Sequence, residues 1–291
     1  MLRAVKIGDR WVGEGYPTYI VAEIGINHNG SLEIVEELIQ SAKHVGVDAV
    51  KFQKRTPELC VPDDQKGQMR DTPWGYISYM EYREKVEFGM KEYKFIDKLC
   101  KKLGIDWFTS VWDTPSVDFM EKFKPICYKV PSAGLTDHEL LKYIRGTKRP
   151  VILSTGMSTM EQITSAVNIL GEDNLVITHS TSAYPCEPEE LNLKMITTLK
   201  NEFNCPIGYS GHEVGLIPSV VTIAMGSCMI ERHFTLDRAM WGSDQAASVE
   251  PGGFRRLVKY ARVTELGLGD GVKKVYDSEK PSLEKLRRVQ S

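Results

Sequence analysis

Short apolar runs and longer amphipathic stretches alternate along almost the whole chain. The runs at 19–24, 48–52, 106–110, 126–130, 151–153, 175–178, 207–209 and 229–233 read as buried strands. Between and after them, apolar residues recur at helical spacing over 31–45, 91–103, 115–123, 137–144, 159–170, 189–200, 217–225 and 254–266. In the first of these, Leu32, Val35, Leu38, Ile39 and Ala42 share one face, Ser31 stands at the start, and Gly46 follows the end. A short hairpin is expected over 4–12, turning at Gly8-Asp9.

Eight strands, each followed by a helix, predict an α/β fold, a parallel (β/α)8 TIM barrel, rather than an open doubly wound sheet. No GxGxxG follows the first strand, which argues against a dinucleotide fold. The expectation is one barrel domain over 1–291, with an N-terminal hairpin in 1–15 and a charged C-terminal tail in 271–291. Residues 54–88 break the rhythm with Pro57, Pro62, Pro73, Trp74, Tyr76, Tyr79 and Tyr82. That segment is expected to be irregular, a functional or disordered loop. Its aromatics would pack over the barrel mouth or against a partner subunit.

Composition narrows the function by exclusion. The net charge is −2, so nothing global points to nucleic acid or a membrane surface, and an anionic substrate must meet local positive charge. No apolar stretch is long enough to span a bilayer, and the N-terminus lacks a signal-peptide core. The six cysteines are scattered without a CxxC pair, which fits reduced thiols in a cytoplasmic protein.

A barrel carries its chemistry at the C-terminal ends of its strands. There this layout puts Glu23, Lys51 with Gln53, Ser110, Lys129 with Ser132, Ser154 with Thr155, His179 with Thr181, Ser210 with His212, and Glu231 with His233. Two lysines and several hydroxyls at one rim suit an anion rich in oxygens, such as a phosphate or carboxylate. The turn Ser154 to Thr159 adds backbone amides at a helix start. His179 reads equally well as a core histidine or a ligand. His212 and His233, at the ends of adjacent strands, are placed to share a divalent ion, with Glu23 and Asp244 as nearby carboxylates. Such a set suits Mn, Fe, Co or Zn.

The segments IVAEIGINHNGS, DAVKFQ, YKVPSAGLTD, ILSTGMST, HSTSAYP, GYSGHEVG and IERHFTLDR, in this order, resemble the sialic acid (N-acetylneuraminate) synthase family, including legionaminic and pseudaminic acid synthases. The resemblance implies condensation of phosphoenolpyruvate with an N-acylated hexosamine to a nine-carbon 3-deoxy-2-keto sugar acid. It implies a divalent metal, usually Mn2+ with Mg2+ or Co2+ possible, on His212 and His233. It carries phosphoenolpyruvate contacts onto Lys51, Gln53, Ser110, Lys129, Ser132, Ser154, Ser182 and Tyr184, and substrate or metal-water contacts onto Glu23 and Asp244. A homo-oligomer, dimer or tetramer, is implied as well.

Three departures stand out. The C-terminal antifreeze-like domain common in the family, with its arginine on the sugar, is expected to be absent, leaving Asn27 and His28 as candidates for part of its role. Ser182 replaces a common Asn, and Gly211 replaces a common Asp. Two other readings stay open: a synthase of a shorter 3-deoxy-2-keto sugar acid, and a non-catalytic barrel used for binding. The first takes a phosphorylated acceptor, and no Arg-rich loop for that phosphate is evident in the sequence.

Overall fold

The structure is a computed structural model and describes residues 2–289. Met1 of the expected hairpin region and residues 290 and 291 of the expected tail lie outside the described residues. Eight parallel strands close into a barrel: β1 (Tyr19–Gly25), β2 (Ala49–Lys54), β3 (Asp106–Val111), β4 (Tyr128–Val130), β5 (Val151–Ser154), β6 (Leu175–His179), β7 (Ile207–Gly211) and β8 (Met229–His233). They neighbour one another in sequence order, and β8 pairs with β1 to close the ring. The helices outside are α1 (Leu32–Val45), α2 (Met90–Leu103), α3 (Thr114–Glu121), α4 (His138–Gly146), α5 (Met160–Leu170), α6 (Met195–Glu202), α7 (Ile217–Ala224) and α8 (Pro251–Leu268).

Caps set the helix ends. Ser31 accepts from the Ile34 amide, Thr159 closes a capping box with Gln162, and Gly46 ends α1 in the left-handed conformation at φ 87°. The sixth helix begins at Met195, not at 189, because residues 188–190 form a single 3-10 turn instead.

Strand alternation divides the core into two layers. Outward-facing Ile20, Ala22, Val50, Phe52, Val130, Leu153, Ile177 and Ile230 pack under the helices. Inward-facing Tyr19, Val21, Ala49, Phe108, Ile152, Val176 and Met229 fill the lower barrel. The hairpin of Ala4–Ile7 and Arg10–Gly13 closes the bottom, with Val5, Ile7 and Val12 joining that interior cluster. Upward from this plug, the same inward positions turn polar.

Residues 54–88 are not irregular. They form two short helical turns (Pro57–Cys60 and Asp63–Lys66), a hairpin (Met69–Thr72 with Gly75–Ser78) and a helix (Tyr79–Val86) begun by a Ser78–Glu81 capping box. This subdomain folds against the mouth, where Tyr82 and Trp74 meet Trp241 of the loop after β8, with ring centroids 5.3 and 6.2 Å apart.

Candidate active site

The polar inward positions converge on one cavity of about 230 Å³ at the C-terminal end of the barrel. Its floor is a buried charge cluster. Lys51 Nζ lies 2.8 Å from Glu23 Oε2 and donates to Ser110 Oγ at 2.6 Å. Lys129 Nζ donates to both oxygens of Glu231 at 3.0 and 2.9 Å, and Lys51 stands 3.6 Å from the same carboxylate. Ser210 Oγ donates to Glu231 at 3.1 Å, and Gln53 Nε2 donates to Glu23 Oε1 at 3.0 Å.

The neighbours decide which way each group titrates. Burial would raise the Glu231 carboxyl, but Lys129 and Lys51 outweigh it and hold it down at about 2. Burial would lower the Lys51 ammonium, yet Glu23 and Glu231 raise it. Lys129 is lowered, because burial together with the facing Lys51 exceeds the pull of Glu231. Two lysines and two glutamates therefore share one buried floor.

Beside the floor lies a hydroxyl cradle. Ser132 and Ser180 Oγ are 3.3 Å apart, Ser154 and Ser180 Oγ 3.1 Å, and the Gly156 amide donates to Ser132 Oγ at 3.0 Å. Gly156 is required by this close approach: a Cβ there would overlap Ser182 Oγ and stand 2.8 Å from Ser132 Oγ and 3.0 Å from Ser180 Oγ.

On the β7–β8 side, the rings of His212 and His233 are 5.6 Å apart, and Tyr184 lies 4.1 Å over His212. His212 Nδ1 is 2.6 Å from the Thr181 carbonyl oxygen, to which a protonated Nδ1 donates, leaving Nε2 with a free lone pair. Burial and the neighbouring His233 pull His212 down to about 3, so it is neutral. His233 Nδ1 is buried without a hydrogen-bond partner, and Asp244 Oδ2 is 3.8 Å away. A neutral imidazole and an orphaned ring nitrogen side by side fit a divalent ion with open positions. Among the described residues, no group of three or more His, Cys, Asp or Glu stands ready as a metal set.

The cavity thus gathers Glu23, Lys51, Gln53, Ser110, Lys129, Ser132, Ser154, Ser182, Tyr184, His212 and His233 from the expected set. Asp244 stands behind His233 rather than in the lining.

Asn27 and His28 lie outside the cavity lining. The Asn27 amide donates to the Phe234 carbonyl and Ser248 Oγ, both at 2.8 Å, and ties the β8 loop down. His28 stacks on Phe88 at 4.0 Å and accepts from the Gly30 amide, away from the cavity. His179 also faces outward, with Nε2 2.8 Å from the Leu191 carbonyl oxygen.

Glu231 and Ser210 appeared at the rim in the sequence without a role, and Trp112 was not singled out; all three line the cavity. Strand parity links Glu231 to His233, which was the one signal for it. As for Gly211, its missing side chain leaves room for Glu213 and Tyr209, whose Cε1 would lie 2.6 Å from a Cβ.

Comparison with known proteins agrees with this architecture. Residues 38–273 match the NeuB family. The chain is 34% identical over 286 residues to the N,N'-diacetyllegionaminic acid synthase of Legionella pneumophila, covering 95% of this chain and 80% of that one. It is 36% identical over 284 residues to the N-acetylneuraminate-9-phosphate synthase of Mus musculus, covering 95% and 78%. The crystal structure of N-acetylneuraminic acid (sialic acid) synthetase from Leptospira borgpetersenii serovar Hardjo-bovis, in complex with citrate, superposes with a TM-score of 0.88 at 28% identity, covering 99% of each chain. A buried lysine–carboxylate floor inside a closed parallel barrel, and these relatives, lead to one statement: the chain belongs to the NeuB family and is an enzyme of its synthase type.

Proposed function

We propose that this enzyme condenses phosphoenolpyruvate with the open-chain aldehyde of an N-acylated hexosamine, giving a nine-carbon 3-deoxy-2-keto sugar acid and phosphate. The observation that carries the reading is the meeting of two buried lysines, a serine cradle and a histidine pair in one cavity. Lys51, Lys129 and the hydroxyls of Ser110, Ser132, Ser154 and Ser182 suit the carboxylate and phosphate of phosphoenolpyruvate. Held there, its C3 faces an aldehyde entering from the mouth, and fixed orientation supplies much of the rate. C3 bonds to the aldehyde carbon, water adds at C2, and phosphate leaves with C–O cleavage. Glu23, paired with Lys51 and Gln53, is positioned to hold or move the proton of the new hydroxyl or of the water.

His212 and His233 would hold the divalent ion, Mn2+ first and Mg2+ or Co2+ as substitutes. Such an ion supplies Lewis acidity toward the acceptor carbonyl. The Tyr184 ring packs on that of His212, with centroids 4.1 Å apart. The reading includes a cytoplasmic homo-oligomer, dimer or tetramer. Supporting it, all six thiols are free, and Val214, Ile217 and Leu266 expose apolar surface. Among the described residues, no helix is long and apolar enough to cross a membrane.

The test is an acceptor panel: enzyme, Mn2+, phosphoenolpyruvate and a set of aldoses, with released phosphate and product mass followed together. Turnover with an N-acylhexosamine supports the proposal. Turnover restricted to a phosphorylated tetrose or pentose would replace it with a shorter-product synthase. No turnover at all would leave a binding barrel.

A further inference from the structure

On β8 the inward residues Met229, Glu231 and His233 alternate with Ile230 and Arg232, which face the helices. Arg232 is an unusual occupant of that layer, a guanidinium only 1% exposed. Its partner is Glu213, 2% exposed and one residue after His212. Arg232 Nη1 donates to Glu213 Oε1 at 2.8 Å, to the Gly215 carbonyl oxygen at 2.8 Å and to Ser219 Oγ of α7 at 2.9 Å. Arg232 Nη2 donates to the Glu213 carbonyl oxygen. One side chain from β8 thus holds two main-chain carbonyls of the loop that follows β7.

The carboxylate is fixed from its other side as well. Tyr209 of β7 donates to Glu213 Oε2 at 2.8 Å, and Ser219 Oγ donates to Oε1 at 3.2 Å. Glu213 occupies space that Gly211 leaves open, since a Cβ there would overlap Oε2. His212 stands between those two residues. Its carbonyl accepts from the Cys186 amide at 3.1 Å, Glu213 forms a bridge with Cys186, and its ring Nδ1 is 2.6 Å from the Thr181 carbonyl oxygen. The backbone on both sides of His212 is therefore pinned, and His233 directly follows Arg232. A buried ion pair on the outer face of β7 and β8 ties the two imidazoles together from behind.

Such a pair adds little stability over apolar residues of the same volume, whereas the planar fork of an arginine fixes direction. We propose that the Arg232–Glu213 pair is a positioning device for the two histidines: it sets the place of His212 beside His233 and touches neither substrate nor ion itself. This rests on the synthase reading, with its divalent ion on that histidine pair.

The experiment measures Mn2+ affinity by electron paramagnetic resonance for wild type, Arg232→Lys and the double variant Arg232→Met/Glu213→Leu, with urea unfolding of each metal-free protein alongside. The double variant removes both charges and orphans neither, so its unfolding midpoint should stay near that of wild type. Its Mn2+ dissociation constant should nevertheless rise about tenfold or more, the loss expected when a metal-binding histidine is deprived of its supporting partners. Arg232→Lys keeps the charge without the fork and should fall between, at an unchanged midpoint. Nitrogen NMR of histidine-labelled, metal-free protein reads the geometry without any metal: the His212 signal, assigned by its absence from His212→Asn, should shift in the double variant. Wild-type Mn2+ affinity in the double variant would overturn the proposal. Should the double variant not fold, Arg232→Lys decides, and wild-type affinity there would overturn it too. Affinity that falls only in step with the unfolding midpoint would make the pair merely structural, again against the proposal. Each of these leaves the synthase reading intact, whereas a wild-type protein that binds no Mn2+ would overturn both the metal assignment and this inference.

Discussion

Glu231→Gln is the most searching perturbation of the cavity floor. The wild-type carboxylate takes two contacts from Lys129, at 2.9 and 3.0 Å, and one from Ser210 at 3.1 Å. Glutamine keeps the shape and one acceptor but removes the charge. Lys51 retains Glu23 at 2.8 Å and Ser110 at 2.6 Å, so the loss falls on Lys129, which is 2% exposed. Breaking a buried pair costs about 3–5 kcal/mol, and the surviving amide acceptor places this case near about 3 kcal/mol. Urea unfolding of wild type and variant measures it. On the proposed reading phosphoenolpyruvate brings its negative charge to that floor, so it should return more stability to the variant than to wild type. The double variant Glu231→Gln/Lys129→Met removes the orphaned ammonium and should be more stable than Glu231→Gln alone. A single variant within about 1 kcal/mol of wild type, or a double variant no better than the single, would refute the orphaned-charge reasoning.

Three further outcomes are expected. Gly156→Ala pushes a methyl among Ser132, Ser180 and Ser182, so KM for phosphoenolpyruvate should rise about tenfold or more with the unfolding midpoint little changed, measured by steady-state kinetics and urea titration. His233→Ala removes one of two imidazoles and should weaken Mn2+ binding at least about tenfold, since losing even a supporting partner costs that much; Mn2+ titration by electron paramagnetic resonance reads it directly. His28 is lowered to about 3 by burial, with a smaller push from Arg83, so its neutral form stabilises the fold. That contribution is full above the unfolded value of about 6.5 and is lost as pH falls from there toward 3; His28→Leu should flatten this part of the pH–stability curve, and an unchanged slope would refute the assignment.

The barrel was legible because each strand is a short apolar run between turn signals, and each helix carries an amphipathic stripe. Strand ends also pointed to the cavity: Lys51 and Lys129 occupy inward positions one step above the apolar plug, and His233 sits two steps above it with Glu231 between. The 54–88 subdomain was not legible. Its hairpin strands, Met69–Thr72 and Gly75–Ser78, lack apolar alternation and are held by tertiary contacts such as Arg70 on Tyr79 at 3.8 Å. Glu231 drew no role because its decisive partner, Lys129, is 102 residues away across the barrel. Asn27 and His28 sit outside the cavity lining, since polar residues after a rim strand serve chemistry and loop anchoring alike and only packing separates the two.

The seam between β8 and β1 has a consequence for assembly. Glu23 and His233 are register partners there, 210 residues apart, so they meet only when the last strand docks on the first. Lys51, Lys129 and Ser154 sit on strands that an emerging chain makes early, whereas both imidazoles arrive with the final quarter of the barrel. A chain interrupted before β8 therefore carries Lys51, Lys129, Ser154 and His212 but lacks Glu231 and His233, which complete the floor and the histidine pair. The ring must close before the chemistry exists, which ties the onset of activity to the slowest, longest-range contact in the fold.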